Sequence, residues 1–181
     1  VGAVHRLRRK LEANGAPPVL LSTRARGYRI AADDDDPLDP ILGRRAELSA
    51  LRVALAKPGP TVLVGPGGIG KTTLARRVLE EGSGLFVDLS AADTDDAVLD
   101  TVAAALGCSG RSELGARVVR LLARRGDETL VLDNAEQVLG GVVALVQSLC
   151  AGCPELRVLL TSRVAPDLED VRLIEVGPLD P

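Results

Sequence analysis

At 181 residues, 46% of them hydrophobic, the chain can bury one substantial core and a smaller appendage. No apolar run approaches the ~18 residues a membrane helix needs, and no signal peptide is present, so the chain reads as soluble and cytoplasmic, with no membrane among its partners. Charge is split: residues 1–30 hold seven Lys/Arg against one acid, net +6, while the other 151 hold 15 against 24, net −9, which points the head toward nucleic acid and excludes the body as an electrostatic DNA binder.

The head begins with an amphipathic pattern. Val4, Leu7 and Leu11 fall on one side of a helical wheel and Arg6, Arg9 and Lys10 on the other, which predicts a basic helix over residues 1–13, ended by Asn14-Gly15. Val19 to Thr23, a turn through Arg24-Ala25-Arg26-Gly27, and Tyr28-Arg29-Ile30 predict a hairpin with two arginines at its tip. His5-Arg6-Leu7-Arg8-Arg9-Lys10-Leu11 followed by Ser22 to Ile30 resembles the end of an OmpR-like winged-helix DNA-binding domain, its recognition helix and wing. Ala25 stands where that family commonly carries glycine, and the domain's earlier helices and strands are not in the chain. The resemblance implies that residues 1–32 belong to a DNA reader. It gives His5, Arg6, Arg9 and Lys10 a place in the major groove and Arg24 and Arg26 a place on the backbone or minor groove.

Residues 33–40, four consecutive aspartates and then Pro37-Leu38-Asp39-Pro40, form an acidic linker that joins no regular element. From residue 41 to 181, apolar runs near 61–64, 84–89, 129–132, 156–161 and 171–176 alternate with helical patterns near 45–56, 72–81, 94–106, 112–125 and 135–150. Strands apolar on both faces and alternating with helices predict a three-layer α/β fold around a parallel sheet. Cys108, Cys150 and Cys153 are too few and too isolated for a disulfide framework or a zinc site; the CxxC pair reads as two small residues at a helix end. With no Met anywhere, the sequence is expected to be a fragment of a longer protein.

Gly65-Pro66-Gly67-Gly68-Ile69-Gly70-Lys71-Thr72 fits the pattern G-x-x-x-x-G-K-[ST], and it follows an apolar strand and opens a helix. In that setting backbone N–H groups turn inward on a polyphosphate and the helix N-terminus adds partial positive charge. Gly65, Gly67, Gly68, Ile69, Gly70, Lys71, Thr72 and Thr73 are therefore the expected nucleotide contacts, with Lys71 on the β and γ phosphates and Thr72 on Mg²⁺. Thr129-Leu130-Val131-Leu132-Asp133 brings a carboxylate to the C-terminal edge of the sheet, where Asp133 is the second candidate Mg²⁺ ligand. Val158 to Arg163 is a third such strand, and Arg163 is placed to sense a γ-phosphate.

Five segments together resemble the STAND class of AAA-like signalling ATPases, which contains NB-ARC domains and the ATPase cores of bacterial transcription regulators. They are Ile41-Leu42-Gly43-Arg44-Arg45-Ala46-Glu47-Leu48, the glycine loop, Phe86-Val87-Asp88-Leu89, Leu130 to Glu136, and Leu159 to Arg163. The resemblance spans residues 41–181 and implies an insertion of the Arg163 strand between the loop strand and the Asp133 strand. It also implies adenine contacts from Ile41, Leu42 and Arg44, and a helical lid approached at Pro178-Leu179-Asp180-Pro181. Arg44 and Glu47 read equally well as an ordinary helix start.

Efficient P-loop hydrolases often place a glutamate directly after the Asp133 position; this chain has Asn134, an amide that orients water without taking its proton. Glu136 is the nearby carboxylate, read either as a substitute base or as a first-turn glutamate favoured by the helix dipole. The expected function is an ATP/ADP-binding switch with slow hydrolysis, in a DNA-binding transcription regulator acting in phosphorelay-type signal transduction. Its expected partners are nucleotide, duplex DNA through the head, and further copies of itself once ATP binds. The competing reading is a P-loop kinase or hydrolase whose basic head is incidental, although no acceptor site or lid arginine of a kinase is visible in the sequence.

Overall fold

A computed structural model describes residues 20–23, 27–30, 43–108, 110, 112–126 and 128–178. The chain divides into two compact units, Val1–Leu42 and Gly43–Pro181. In the first, β1 (Leu20–Thr23) and β2 (Gly27–Ile30) pair antiparallel with Leu20 opposite Ile30, the expected hairpin. The basic helix over 1–13, the hairpin tip at 24–26, the acidic linker, and Ile41 and Leu42 lie outside the described residues.

The second unit runs α1 (Arg45–Leu55), β3 (Gly59–Val64), α2 (Lys71–Glu81), β4 (Gly84–Asp88), α3 (Asp95–Ala105), α4 (Leu114–Ala123), β5 (Thr129–Asp133), α5 (Leu139–Gly152), β6 (Arg157–Ser162) and β7 (Arg172–Glu175). The five strands form one parallel sheet in the order β4-β5-β6-β3-β7. The strand that delivers Arg163 thus lies between the glycine-loop strand and the Asp133 strand, as expected, and β3 and β5 do not pair directly.

Side chains alternate across each strand, so one strand feeds two cores. Val62, Val87, Leu130, Leu132, Val158 and Leu160 share a cluster with Val98 and Val102 of α3, Val118 and Leu122 of α4, and Val142, Val146 and Leu149 of α5. Their neighbours Leu63, Val131 and Leu159 are equally buried but fall outside that cluster, on the side of α1 and α2, where Leu48, Leu51, Leu74 and Ala75 are buried. On that same side Arg76 of α2 stacks 4.2 Å from the ring centroid of Phe86. Three layers result, helices over both faces of a parallel sheet.

The α3–α5 contact depends on glycine. A Cβ on Gly141 would come within 2.3 Å of the Asp95 carbonyl oxygen, so no other residue lets α5 approach the start of α3 this closely. One expected boundary needs correcting. The helical pattern from 135 is not one helix: Asn134 has φ 63°, Ala135–Gln137 form a short 3₁₀ turn, Val138 leaves helical geometry, and α5 begins at Leu139. Asn tolerates the left-handed conformation better than most residues, which permits the break.

Candidate nucleotide-binding site

The glycine loop leaves β3 under tight steric control. A Cβ on Gly65 would lie 2.5 Å from the Val176 carbonyl oxygen, because the chain after β7 runs past the loop with the Val176 N–H donating to the Val64 carbonyl at 2.7 Å. Gly68 and Gly70 take φ of 74° and 102°, which favour glycine. Gly70 caps α2 without a side-chain hydrogen bond, and the first turn carries no acid, so the positive end of the helix is left open to an anion.

Lys71 opens that helix and is buried. Its Nζ donates to the carbonyls of Gly65, 2.7 Å, and Pro66, 2.8 Å, folded back over its own loop. Burial pushes its pKa below the ordinary lysine value; Glu136 opposes that shift, Arg163 adds to it, and Asp133 opposes it again. A buried ammonium whose hydrogen-bond partners among the described residues are two carbonyls is a cation suited to an incoming negative charge.

Asp133 ends β5 and is buried. Thr72 Oγ1, on α2, lies 3.0 Å from both its carboxylate oxygens, and Thr161 Oγ1, on β6, donates to Oδ1 over a short contact. The Asn134 amide nitrogen Nδ2 donates to Asp133 Oδ2 at 3.2 Å and to Asp88 Oδ1 at 3.0 Å. Register explains this bridge, since Asp88 and Asp133 are opposite one another at the ends of β4 and β5. The Asn134 backbone N–H donates to Thr161 Oγ1 at 3.0 Å, so one hydroxyl serves both residues. Asp88 is held below the usual carboxylate range, chiefly by the Ser90 backbone N–H and then by the Asn134 amide.

Arg163 follows β6 and reaches back across the loop. Its Nε is 3.0 Å from Glu136 Oε1, and a Cβ on Gly67 would touch its guanidinium carbon at 3.3 Å. A cavity of about 250 Å³ is enclosed by Gly67, Gly68, Gly70, Lys71, Thr72, Thr73, Asn134, Glu136 and Arg163. Asp133 stands behind Thr72 rather than on the cavity wall, and Gly65 and Ile69 shape the loop from outside it. A larger groove of about 670 Å³ between α3, α4 and α5 has no basic residue on its lining and does not suit a phosphate.

Arg44 is buried beside the loop, not on the cavity wall. Its guanidinium donates to the Gly177 carbonyl, 2.6 Å, the Ile69 carbonyl, 3.0 Å, and Glu47 Oε1, 2.6 Å, bracing the loop against the segment after β7. Cys150 is exposed and Cys153 buried at the end of α5, and burial pushes both thiols up; among the described residues no cluster of His, Cys, Asp and Glu could hold a metal. The roles of Asp88 and Thr161 were not readable from their positions alone. A polar residue inside an otherwise apolar buried strand is the signal that marks Thr161.

Residues 55–162 match the AAA domain. The chain belongs to the AAA-domain family of P-loop ATPases. A Mycobacterium tuberculosis protein provisionally named an HTH-type transcriptional regulator is 39% identical to this AAA domain chain over 120 residues, 62% of the chain and 13% of the relative. An uncharacterized Mycobacterium bovis protein is 32% identical over 150 residues, 78% of the chain and 38% of that protein. The chain thus spans from about an eighth to about two fifths of the length of these curated relatives.

Two solved structures share the fold. A Walker-type ATPase of Pyrococcus abyssi superposes with TM-score 0.61 at 19% identity, covering 77% of this chain and 55% of its own. A Pyrococcus horikoshii signal transduction ATPase with numerous domains and a tetratricopeptide repeat sensor superposes with TM-score 0.54 at 20% identity, covering 80% and 25%. Among the described residues no helix is long and apolar enough to cross a membrane.

Proposed function

We propose that the chain is the nucleotide switch of a DNA-binding transcription regulator: residues 1–32 the end of a winged-helix DNA reader, 33–40 a linker, and 41–181 an ATPase body that binds ATP or ADP with Mg²⁺. The observation that carries the nucleotide half is the meeting of two elements at one cavity: Lys71 and Thr72 of α2 on its wall, and Asp133 of β5 directly behind Thr72, with an uncapped helix N-terminus beside them. The DNA half is supported by the +6 charge of residues 1–30 and by the name of the M. tuberculosis relative.

In this reading the loop N–H groups and Lys71 hold the phosphate chain, and Lys71 exchanges its two carbonyl partners for phosphate oxygens. Thr72 and Asp133 would hold Mg²⁺, their shared hydrogen bond giving way to the ion. Bound Mg²⁺ supplies charge neutralisation along the phosphate chain. Arg44 keeps the loop and the chain after β7 in one arrangement, and a change at the phosphates can pass through it to the segment that follows.

Hydrolysis is slow in this account because Asn134, the residue after Asp133, offers no proton acceptor. Both N–H donors of its amide are engaged by Asp88 and Asp133, which leaves its carbonyl to orient water. General-base assistance contributes ~10²–10⁴-fold, so turnover falls far below the ~1–100 s⁻¹ of efficient phosphoryl-transfer enzymes. Long-lived ATP and ADP states suit a switch, in which nucleotide biases domain arrangement and self-association. Single-turnover hydrolysis of radiolabelled ATP by wild type and Asn134→Glu tests this: slow wild-type turnover that the glutamate accelerates supports the switch, and rapid partner-free turnover by wild type refutes it.

A further inference from the structure

Asp133 and Glu136, the two carboxylates that act on the Lys71 ammonium, stand in different relations to an incoming phosphate. Asp133 is behind Thr72, held by two hydroxyls and an amide. Glu136 is on the cavity wall itself, and after burial it is the largest influence on the Lys71 ammonium. An unpaired carboxylate in that place would repel a polyphosphate, because like charges in a partly desolvated cavity interact strongly. It is not unpaired: Arg163 Nε meets it at 3.0 Å.

Arg163 is the movable member of the pair. Its side chain is 64% exposed against 19% for Glu136, and its guanidinium rests beside Gly67, over the loop that would carry the phosphates. One long side chain therefore has two anionic partners within reach: Glu136, and the end of a phosphate chain lying in the cavity. A diphosphate held by the loop and Lys71 lacks the third phosphate needed to compete for it. A triphosphate would bring one more phosphate to a cavity whose wall includes Arg163.

We propose that Glu136 is the resident counter-ion of Arg163 whenever a γ-phosphate is absent, and that it sets the preference of the site between nucleoside triphosphate and diphosphate. In the diphosphate state the Glu136–Arg163 pair persists. The terminal phosphate of a triphosphate takes the guanidinium over, and Glu136 is released to face solvent. This places Glu136 outside both roles that its position suggests, water-activating base and helix-dipole acid. The inference rests on the nucleotide-site reading above.

The test uses the whole 181-residue chain. Dissociation constants for Mg·ADP and for the Mg complex of the β,γ-imido analogue of ATP are measured calorimetrically on each preparation of wild type, Glu136→Gln and Arg163→Met. Their ratio within one preparation does not depend on the fraction of protein that is folded. In parallel, ¹H–¹⁵N spectra follow the Arg163 Nε–H signal, assigned by its loss in Arg163→Met.

Glu136→Gln is expected to shift the ratio toward the triphosphate by about three- to tenfold, the scale of a partly exposed ion pair plus one like-charge contact. Arg163→Met is expected to shift it the other way. The Arg163 signal should hold its free-state position with ADP and move with the triphosphate analogue, and in Glu136→Gln it should be displaced before any nucleotide is added. A Glu136→Gln ratio equal to or below that of wild type overturns the proposal. So does an Arg163 signal indifferent to Glu136→Gln, or one that moves equally with both nucleotides. If wild type binds neither nucleotide, the site reading falls and takes this inference with it; tight binding of both with an unchanged ratio overturns the counter-ion role alone.

Discussion

Replacing Thr161 by valine removes one oxygen from the centre of the site while nearly conserving shape. Thr161 is buried in β6; its hydroxyl accepts the Asn134 backbone N–H at 3.0 Å and donates to Asp133 Oδ1. Valine leaves that N–H without a partner, which costs about 1–3 kcal/mol, and strips from a carboxylate a hydrogen bond worth about 1.5–3 kcal/mol. The two losses share one hydroxyl and Thr72 still serves Asp133, so their sum overstates the effect, and about 2–4 kcal/mol is expected. For a unit the size of Gly43–Pro181, at roughly 3–4 °C per kcal/mol, the unfolding midpoint falls by about 6–16 °C. Urea and thermal unfolding followed by circular dichroism measure it. Thr161→Ser keeps the hydroxyl and isolates the loss of the methyl, about 1 kcal/mol. Mg·ADP affinity should also drop in the valine variant, since Asp133 is then oriented by one hydroxyl fewer. A Thr161→Val protein within about 0.5 kcal/mol of wild type, the range of an ordinary surface change, would refute the reasoning.

Gly65→Ala forces a methyl against the Val176 carbonyl, 2.5 Å away, and should cost about 1–3 kcal/mol along with nucleotide affinity; a variant that unfolds and binds ADP like wild type would contradict the packing at the loop. Asp88 has a depressed pKa, so the stability its ionised form contributes is fully present above the ordinary carboxylate range and is lost as pH falls through the depressed value. The stability gap between wild type and Asp88→Asn, read from urea midpoints at stepwise lower pH, should therefore close in acid, and a gap that widens would reverse the sign. In the full-length protein, alanine at Arg6, Arg9, Arg24 and Arg26 should weaken duplex DNA binding and flatten its salt dependence by about one unit for each phosphate that is no longer neutralised; equal affinities at two salt concentrations would remove DNA from the account.

The parts legible in the sequence were those where chemistry and periodicity coincide. Buried parallel strands are continuously apolar, so β3, β5 and β6 stand out, and the glycine loop and Asp133 sit at the ends of two of them. What was not legible depends on tertiary approach. Arg44 spends its guanidinium on carbonyls 25 and 133 residues away, a pairing no local pattern encodes. Asp88 meets Asn134 only because β4 and β5 share a register. Glu136 lies in a short 3₁₀ turn that follows the left-handed Asn134, a break that the helical pattern from 135 does not show. Its partner Arg163 comes from the end of the inserted strand β6, 27 residues further along the chain.

The most direct measurement is a calorimetric titration of Mg·ADP into the wild-type chain and into Lys71→Ala. Lys71 is the one lysine or arginine that the glycine loop and the first turn of α2 contribute to the cavity, and among the described residues its ammonium donates to the Gly65 and Pro66 carbonyls. Removing a desolvated charge partner of a phosphate costs about 2–5 kcal/mol, so the account predicts saturable binding by wild type and at least a ~30-fold loss in the variant. Equal ADP affinity in the two proteins would contradict it.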